Sequence, residues 1–192
     1  LTGDETTVIK DFIQIIKIIK ENSGNKKTVI TTNGYRLDRI ANDIKNSGLD
    51  GINISIDSLI PEAYSKIRIN GDLSKVMENL EIFKDHCKKK DVQISVMVNP
   101  MRNNWEEMPS FLDFCHKHDV KLWFNTVLYP RHLSIWNLPT DELKVIYDKL
   151  STMTARRKKL NEYNKLRHLV EDQIANWLMD SYTESKPDDL HP

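Results

Sequence analysis

The chain has 192 residues, of which 39% are hydrophobic and 29% are charged, and its 28 basic residues balance its 28 acidic ones. This length suits one folded unit with a buried core, and the balanced charge gives no net field to attract nucleic acid, an anionic membrane or an acidic partner. No apolar run approaches the ~20 residues of a membrane span, so we expect no membrane partner. At this balanced charge no nucleic-acid partner is evident either.

Hydrophobic periodicity predicts helices and strands in alternation. β-branched and alternating runs predict strands over residues 28–32, 51–57, 92–98 and 120–128. Helical spacing of apolar residues predicts helices over residues 8–20, 37–47, 72–90 and 105–118, with another after Pro61. Such alternation requires right-handed parallel crossovers, in either an open doubly wound sheet or a barrel. Since a complete eightfold barrel takes ~250 residues, the α/β fold we predict is a partial (β/α) barrel of parallel strands with C-terminal helices.

The segment after Pro139 breaks the alternation. Two helical stretches, residues 140–150 and 156–179, follow one another with no strand between them. We therefore predict a partial barrel over residues 1–139 and a C-terminal helical extension over residues 140–192. The N-terminus starts at Leu1 without a Met or the basic-then-apolar order of a signal peptide, so we expect the chain to have been cut there.

Polar residues occur at the ends of the predicted strands. Ligands of parallel α/β folds bind at these carboxyl ends, because loops and helix N-termini converge there. Nearly every end carries an uncharged hydrogen-bonding residue, and Asp4, Glu5 and Asp57 add carboxylates. Turn formation and helix capping also explain such residues at any single position, so the pattern matters more than its members.

Three motifs occur in order along the chain. Leu-Thr-Gly-Asp-Glu precedes an amphipathic helix, Thr-Thr-Asn-Gly ends the next strand, and Asn-Ile-Ser-Ile-Asp-Ser-Leu-x-Pro-Glu-x-Tyr-x-x-Ile-Arg follows. Together they resemble the radical S-adenosylmethionine superfamily, over about residues 1–130. The resemblance implies an enzyme in which S-adenosylmethionine is reductively cleaved at a [4Fe-4S] cluster. The 5′-deoxyadenosyl radical so formed would abstract a substrate hydrogen.

The resemblance also implies a binding site for S-adenosylmethionine. Gly3, Asp4 and Glu5 match the Gly-Gly-Glu motif that holds the cofactor's amino group, with Asp4 in place of the second Gly. An added carboxylate there would attract an ammonium group.

Further cofactor contacts are implied at the later strand ends. Thr31 and Asn33 would line the pocket, and Ser55 and Asp57 would approach the ribose. Alternation places Asn53, Ser55 and Asp57 on one strand face and Ile52, Ile54 and Ile56 on the other. The remaining contacts lie near adenine and at the backbone of the last strand: Asn99, Val127 and Leu128.

The cysteines do not provide the cluster loop that the resemblance implies. A Cys-x-x-x-Cys-x-x-Cys loop is absent, so we expect the ligands of the [4Fe-4S] cluster upstream of this chain. Cys87 and Cys115 fall in helical patterns and are too few for a disulfide framework, which favours a reducing, cytoplasmic compartment. An alternative is a zinc site in which His86 and His118 join the two cysteines, although lone helical cysteines usually pack as small hydrophobic residues.

Several other segments have ordinary explanations. Residues 125–134 look like the barrel exit of members with a C-terminal auxiliary-cluster module, but no cysteine-rich loop is visible in this sequence and we assign no auxiliary cluster to it. Trp105, Trp123 and Trp136 are interpreted as packing residues rather than as a base-stacking surface. The basic run over residues 156–159 is interpreted as a solvated face, with a phosphate-bearing partner as the alternative.

Two functions remain open from the sequence. One is a fragment of a radical S-adenosylmethionine enzyme that uses an external electron donor and acts on an unknown substrate. The other is a non-catalytic partial barrel that binds a nucleotide-like ligand or a partner protein. Upstream sequence with or without a cysteine triplet would discriminate between them, whereas the fold alone does not identify a substrate.

Overall fold

The computed structural model describes residues 11–22, 24, 26–44, 47–87, 92–125, 127, 129–155, 172, 175 and 176. Its helices are α1 (Phe12–Asn22), α2 (Ala41–Ile44), α3 (Pro61–Ile67), α4 (Leu73–Cys87), α5 (Met108–Lys117) and α6 (Thr140–Ala155). Its strands are β1 (Val29–Thr32), β2 (Gly51–Ser55), β3 (Gln93–Val98) and β4 (Lys121–Phe124). Within these residues no helix has the length and apolar content needed to cross a membrane.

The four strands form one parallel sheet in the order β1-β2-β3-β4. Thr31 aligns with Asn53, and Asn53 aligns with Ser95, so the first three strands are paired without a bulge. Helices flank the sheet and connect its strands. This arrangement confirms the predicted α/β fold and is consistent with a partial barrel.

Two predicted elements are shorter than expected. The helix predicted over residues 37–47 is a 3-10 turn, Leu37–Arg39, followed by the short α2. The chain leaves α2 through a turn in which the Ser47 hydroxyl donates to the Ile44 carbonyl and accepts from the Leu49 amide. These side-chain hydrogen bonds compete with helix continuation. The fourth strand ends at Phe124 rather than at residue 128.

One face of the sheet carries the hydrophobic core. Ile52, Ile54 and Ile56 have no exposed surface, as predicted from the alternation along β2. Ile54 lies beside Val76 of α4, since a Cβ built on Gly34 would fall 2.8 Å from an Ile54 methyl and 3.0 Å from a Val76 methyl. A fully buried aliphatic side chain contributes about 1.5–3 kcal/mol to folding, so the burial of these three isoleucines stabilises the sheet.

Asp50 connects the amino-terminal ends of the first three strands. Its carboxylate accepts hydrogen bonds from the Lys20 ammonium at 2.6 Å and the Thr28 amide at 2.7 Å. Its own amide donates to the Thr28 carbonyl, and its carbonyl accepts from the Gln93 amide. The hydrogen bond from Lys20, followed by that from the Thr28 amide, lowers the pKa of Asp50 below its ordinary 3.8. The base of the sheet is therefore fixed to α1 by an ionised carboxylate.

Two compact units make up the chain. The first contains residues 1–98 and 114–123, and the second contains residues 99–113 and 124–192. In the second unit an antiparallel bridge pairs Met101 with Ser134, and the Asn104 side chain accepts from the Met101 amide and donates to the Asn99 carbonyl. The boundary at residue 139 between barrel and helical extension stays a prediction.

Candidate functional site

The turn after β1 is held by its own polar side chains. The Thr32 hydroxyl accepts from the Gly34 amide at 3.2 Å, and the Asn33 side chain accepts from the Tyr35 amide at 3.0 Å. Gly34 has a φ of +81°, a conformation that L residues rarely adopt. The sequence Thr-Thr-Asn-Gly thus builds a tight turn that presents Asn33 at the carboxyl end of β1.

Asn79 of α4 holds this turn in place through hydrogen bonds to its backbone. Its amide nitrogen donates to the Gly34 carbonyl at 3.1 Å and to the Tyr35 carbonyl at 2.7 Å. The Asn79 side chain is fully buried, and its oxygen has no hydrogen-bond partner among the described residues. Asn79 therefore provides hydrogen bonds to two carbonyls of the turn, while its own side-chain oxygen stays buried. The helical pattern of α4 did not reveal these two hydrogen bonds.

Asp57 forms a buried ion pair with Arg68. One oxygen of the Asp57 carboxylate accepts from Arg68 Nε at 3.0 Å and from Nη2 at 2.7 Å. The Asp57 side chain is 5% exposed, and that of Arg68 is 27% exposed. Arg68 is the last residue of the third sequence motif, and no role was predicted for it. A ligand hydroxyl that reaches Asp57 must share the carboxylate with the guanidinium.

A cavity of about 500 Å³ opens beside this ion pair. It adjoins the turn after β1 and the segment that follows α3. The lining residues are Asn33, Tyr35, Tyr64, Ile67, Arg68, Ile69, Asn70 and Gly71. Arg68 thus links two predicted site residues, because it lines the same cavity as Asn33 and holds Asp57.

Thr31, Asn53 and Ser55 lie on the sheet face opposite the isoleucine core. Thr31 and Asn53 are half-buried and Ser55 is buried, whereas Ile52 and Ile54 on the other face have no exposed surface. The predicted alternation along β2 is therefore confirmed. Which of these side chains contacts a cofactor stays a prediction.

The other predicted site residues are not brought to this cluster. Asn99 and Val127 belong to the second compact unit, where Asn99 is half-buried and its carbonyl accepts from the Asn104 side chain. Gly3, Asp4, Glu5 and Leu128 lie outside the described residues. The basic run over residues 156–159 also lies outside them.

The strand ends fit S-adenosylmethionine in part. Ser55 and Asn33 offer neutral groups that donate and accept, and Asp57 offers a carboxylate, which are the groups that a ribose diol needs. Ser55 and Asp57 stay the residues predicted to approach the sugar, with Arg68 competing for the Asp57 carboxylate, and Asn33 stays a predicted pocket residue.

The described cysteines do not fit a [4Fe-4S] cluster. Cys87 and Cys115 are buried in α4 and α5, and burial raises the pKa of Cys87 to about 11 and that of Cys115 to about 12. A cluster requires thiolates. Across the described part of the chain no three His, Cys, Asp or Glu residues lie close enough to hold a metal ion. His86 and His118 contact the Ile82 carbonyl and the Glu81 carboxylate respectively, so the alternative zinc site is not assembled there.

The described tryptophans differ in their environments. Trp105 is half-buried, and the Lys149 ammonium lies 5.2 Å from its ring centre. Trp123 on β4 is 52% exposed, so the interpretation as a packing residue is wrong for this position. Alternation along β4 places Leu122 in the core and Trp123 on the opposite face of the strand. The sequence alone does not tell whether anything packs on that opposite face.

Comparison with known proteins gives a consistent family. Residues 1–115 match the model of the radical SAM superfamily. GTP 3′,8-cyclase of Limosilactobacillus fermentum is 32% identical over 125 residues, which are 65% of this chain and 37% of that protein. The enzyme of the same name from Lactiplantibacillus plantarum is 30% identical over 150 residues, or 77% of this chain and 44% of that protein. The one from Alkaliphilus oremlandii is 45% identical over 80 residues, or 42% of this chain and 25% of that protein. The chain spans less than half the length of these curated relatives.

Proposed function

Because the chain belongs to the radical SAM superfamily, we propose that it is part of an enzyme that reductively cleaves S-adenosylmethionine and acts on a purine nucleoside triphosphate, GTP. The family match over residues 1–115 carries the proposal, since it includes the polar ends of β1 and β2. When bound, S-adenosylmethionine and a [4Fe-4S] cluster would supply a 5′-deoxyadenosyl radical for hydrogen abstraction. The nucleotide comes from the name of the relatives.

The role of the described residues is to bind and orient. The turn that contains Asn33 is fixed by Asn79, and Ser55 ends a strand whose other face is fully buried, so neither side chain has to be ordered when a ligand binds. Arg68 holds Asp57 in one orientation beside the cavity. Rigid placement of this kind keeps reacting atoms at productive distances.

The cluster ligands are proposed to lie upstream of Leu1. An external electron donor is then required, and the cytoplasm is the compartment we propose, since buried free thiols such as Cys87 suit a reducing environment. No described residue is assigned to the cluster or to electron transfer.

Anaerobic reconstitution tests the proposal. The 192-residue chain incubated with iron and sulfide should form no stable cluster and no 5′-deoxyadenosine from S-adenosylmethionine and dithionite. The protein extended upstream through a cysteine triplet should do both. Consumption of GTP by the extended protein would support the substrate.

Two results would contradict the proposal. Cluster assembly by the unextended chain would show that the ligands are wrongly placed. An upstream segment without a cysteine triplet would favour a non-catalytic module that binds a nucleotide-like ligand.

A further inference from the structure

A row of neutral hydrogen-bonding side chains crosses the sheet on the face opposite the isoleucine core. Thr31, Asn53 and Ser95 occupy aligned positions on β1, β2 and β3. Aligned residues of parallel strands point to the same side of the sheet. We call the side that carries these three residues the polar face.

The polar face continues onto β4. The Gln93 side chain donates to the Ser95 hydroxyl at 3.3 Å and accepts from the Lys121 ammonium at 2.6 Å. Lys121 therefore points to the polar face, and alternation places Trp123 on the same side, with the buried Leu122 between them. The indole of Trp123 is 52% exposed.

The composition of this face is unusual for a parallel sheet. Parallel strands are normally buried on both sides, and small barrels fill their interiors with branched aliphatic residues. Here the middle positions on the polar face are Thr31, Asn53 and Ser95, while the opposite face of β2 is isoleucine throughout. Thr31 and Asn53 keep part of their surface accessible, whereas Ser95 is buried and its hydroxyl accepts from the Gln93 side chain. The face is therefore chemically suited to a ligand rather than to a dry core.

We propose that the polar face binds the planar base of the substrate nucleotide, with the ring stacked on Trp123 and its edge hydrogen-bonded to Asn53. An exposed indole is a stacking surface for any heteroaromatic ring. The Asn53 amide both donates and accepts, which matches the mixed edge of a purine. The identification of the ring as a nucleotide base rests on the proposed function.

The charges of the face favour the base over the triphosphate. Within the four strands its residues are neutral apart from Lys121, whose ammonium donates to the Gln93 side chain, and the Asp57 carboxylate lies beyond the end of β2. Asn53 lies two residues before Ser55 along β2, which is about 6.6 Å along a strand. The base would thus lie one layer below the strand ends at which the cofactor is expected, and the two ligands would not compete.

Equilibrium dialysis on the full-length, cluster-reconstituted protein tests this site. The probes are GTP, guanosine and S-adenosylmethionine, and the variants are Trp123→Ala, Trp123→Phe and Asn53→Ala, with Val145→Ala on the exposed face of α6 as the matched control. Trp123→Ala should weaken guanosine and GTP alike by about 5- to 150-fold, the range measured for loss of one base–aromatic stack. Trp123→Phe should recover most of this loss, and Val145→Ala should show none.

The outcomes separate this site from the proposed function. Unchanged guanosine affinity in Trp123→Ala, or an equal loss of S-adenosylmethionine affinity, would overturn the site. Failure of the wild-type protein to bind GTP and guanosine would also overturn it, while 5′-deoxyadenosine formation in the same preparation would leave the cleavage reaction supported. Conversely, guanosine binding that depends on Trp123 without any S-adenosylmethionine cleavage would support the site and contradict the proposed function. Thermal unfolding of each variant shows whether it is folded. If Trp123→Ala is misfolded, the guanosine affinity of Trp123→Phe decides the result.

Discussion

Replacing Gly34 by alanine should destabilise the turn that presents Asn33. Two costs add at this position. A φ of +81° strains any L residue, at about 1–2 kcal/mol. The new methyl would also lie 2.8 Å from Ile54 and 3.0 Å from Val76, both fully packed in the core, and overpacking of this kind costs about 1–3 kcal/mol.

Gly24→Ala is a matched control for the backbone strain alone. It has a φ of +60°, but a Cβ built there meets nothing within 4 Å. Gly24→Ala should therefore cost about 1 kcal/mol, and Gly34→Ala about 3 kcal/mol. The difference of about 2 kcal/mol isolates the contact with the core and corresponds to a roughly 30-fold change in the unfolding equilibrium.

Chemical denaturation monitored by far-UV circular dichroism measures both variants against the wild type. The slope of the unfolding free energy with denaturant should be unchanged, because neither substitution alters the surface exposed on unfolding. Equal losses for Gly34→Ala and Gly24→Ala would refute the reasoning, since they would show that Ile54 and Val76 move aside without cost. Gly34→Ala should cost less in a Val76→Ala background than in the wild type if the methyl contact with Val76 is real.

Four further predictions rest on the charged residues and the thiols. The pKa of Asp50 is lower in the folded than in the unfolded protein, so the stabilisation that ionised Asp50 provides is present above its unfolded pKa near 3.8 and is lost as pH falls through its folded pKa. The loss of stability in acid, below about pH 4, should therefore be shallower in Asp50→Asn than in a variant of the exposed Asp43. The thiol pKa values of Cys87 and Cys115 are about 11 and about 12, so both thiols should resist Ellman's reagent at about pH 8 in the native protein and react with it in guanidinium. Rapid labelling of the native protein would instead show that α4 and α5 open. Arg68→Ala should cost about 2–4 kcal/mol by removing the guanidinium that pairs with the buried Asp57 carboxylate. Asp57→Ala should weaken S-adenosylmethionine binding more than folding, and equal losses of melting temperature and affinity would make Asp57 a structural cap.

The elements that could be predicted are those set by local geometry. Side-chain alternation is a property of any strand, so the isoleucine face of β2 and its polar opposite follow directly from the order of residues 52–57. The parallel sheet follows from the alternation of strands with helices. The early end of α2 at Ile44 was missed because the Ser47 hydroxyl competes for the Ile44 carbonyl, an interaction that hydrophobic spacing does not reveal.

The contacts that were missed depend on tertiary placement. Arg68 meets Asp57 only because α3 and the segment after it return to the end of β2. Asn79 reaches the Gly34 carbonyl across 45 positions of sequence. The exposure of Trp123 likewise depends on whether another element covers that face of the sheet. The alternation within β4 gives the direction of the side chain but does not tell whether anything packs on it.

The division of the sheet into an apolar and a polar face explains why stability and binding can be tested separately. Ile54 is fully buried, and its truncation to alanine would cost about 2–5 kcal/mol through lost contacts and a cavity. Its neighbour Asn53 is only half-buried on the opposite face, so its truncation removes hydrogen-bonding capacity and little core volume. Since adjacent residues of β2 carry these two roles, loss of ligand affinity at Asn53 without loss of folding would be the direct consequence of strand alternation. A binding surface supported by a fully packed opposite face needs no rearrangement to receive a ligand, and such preorganisation lowers the entropic cost of association.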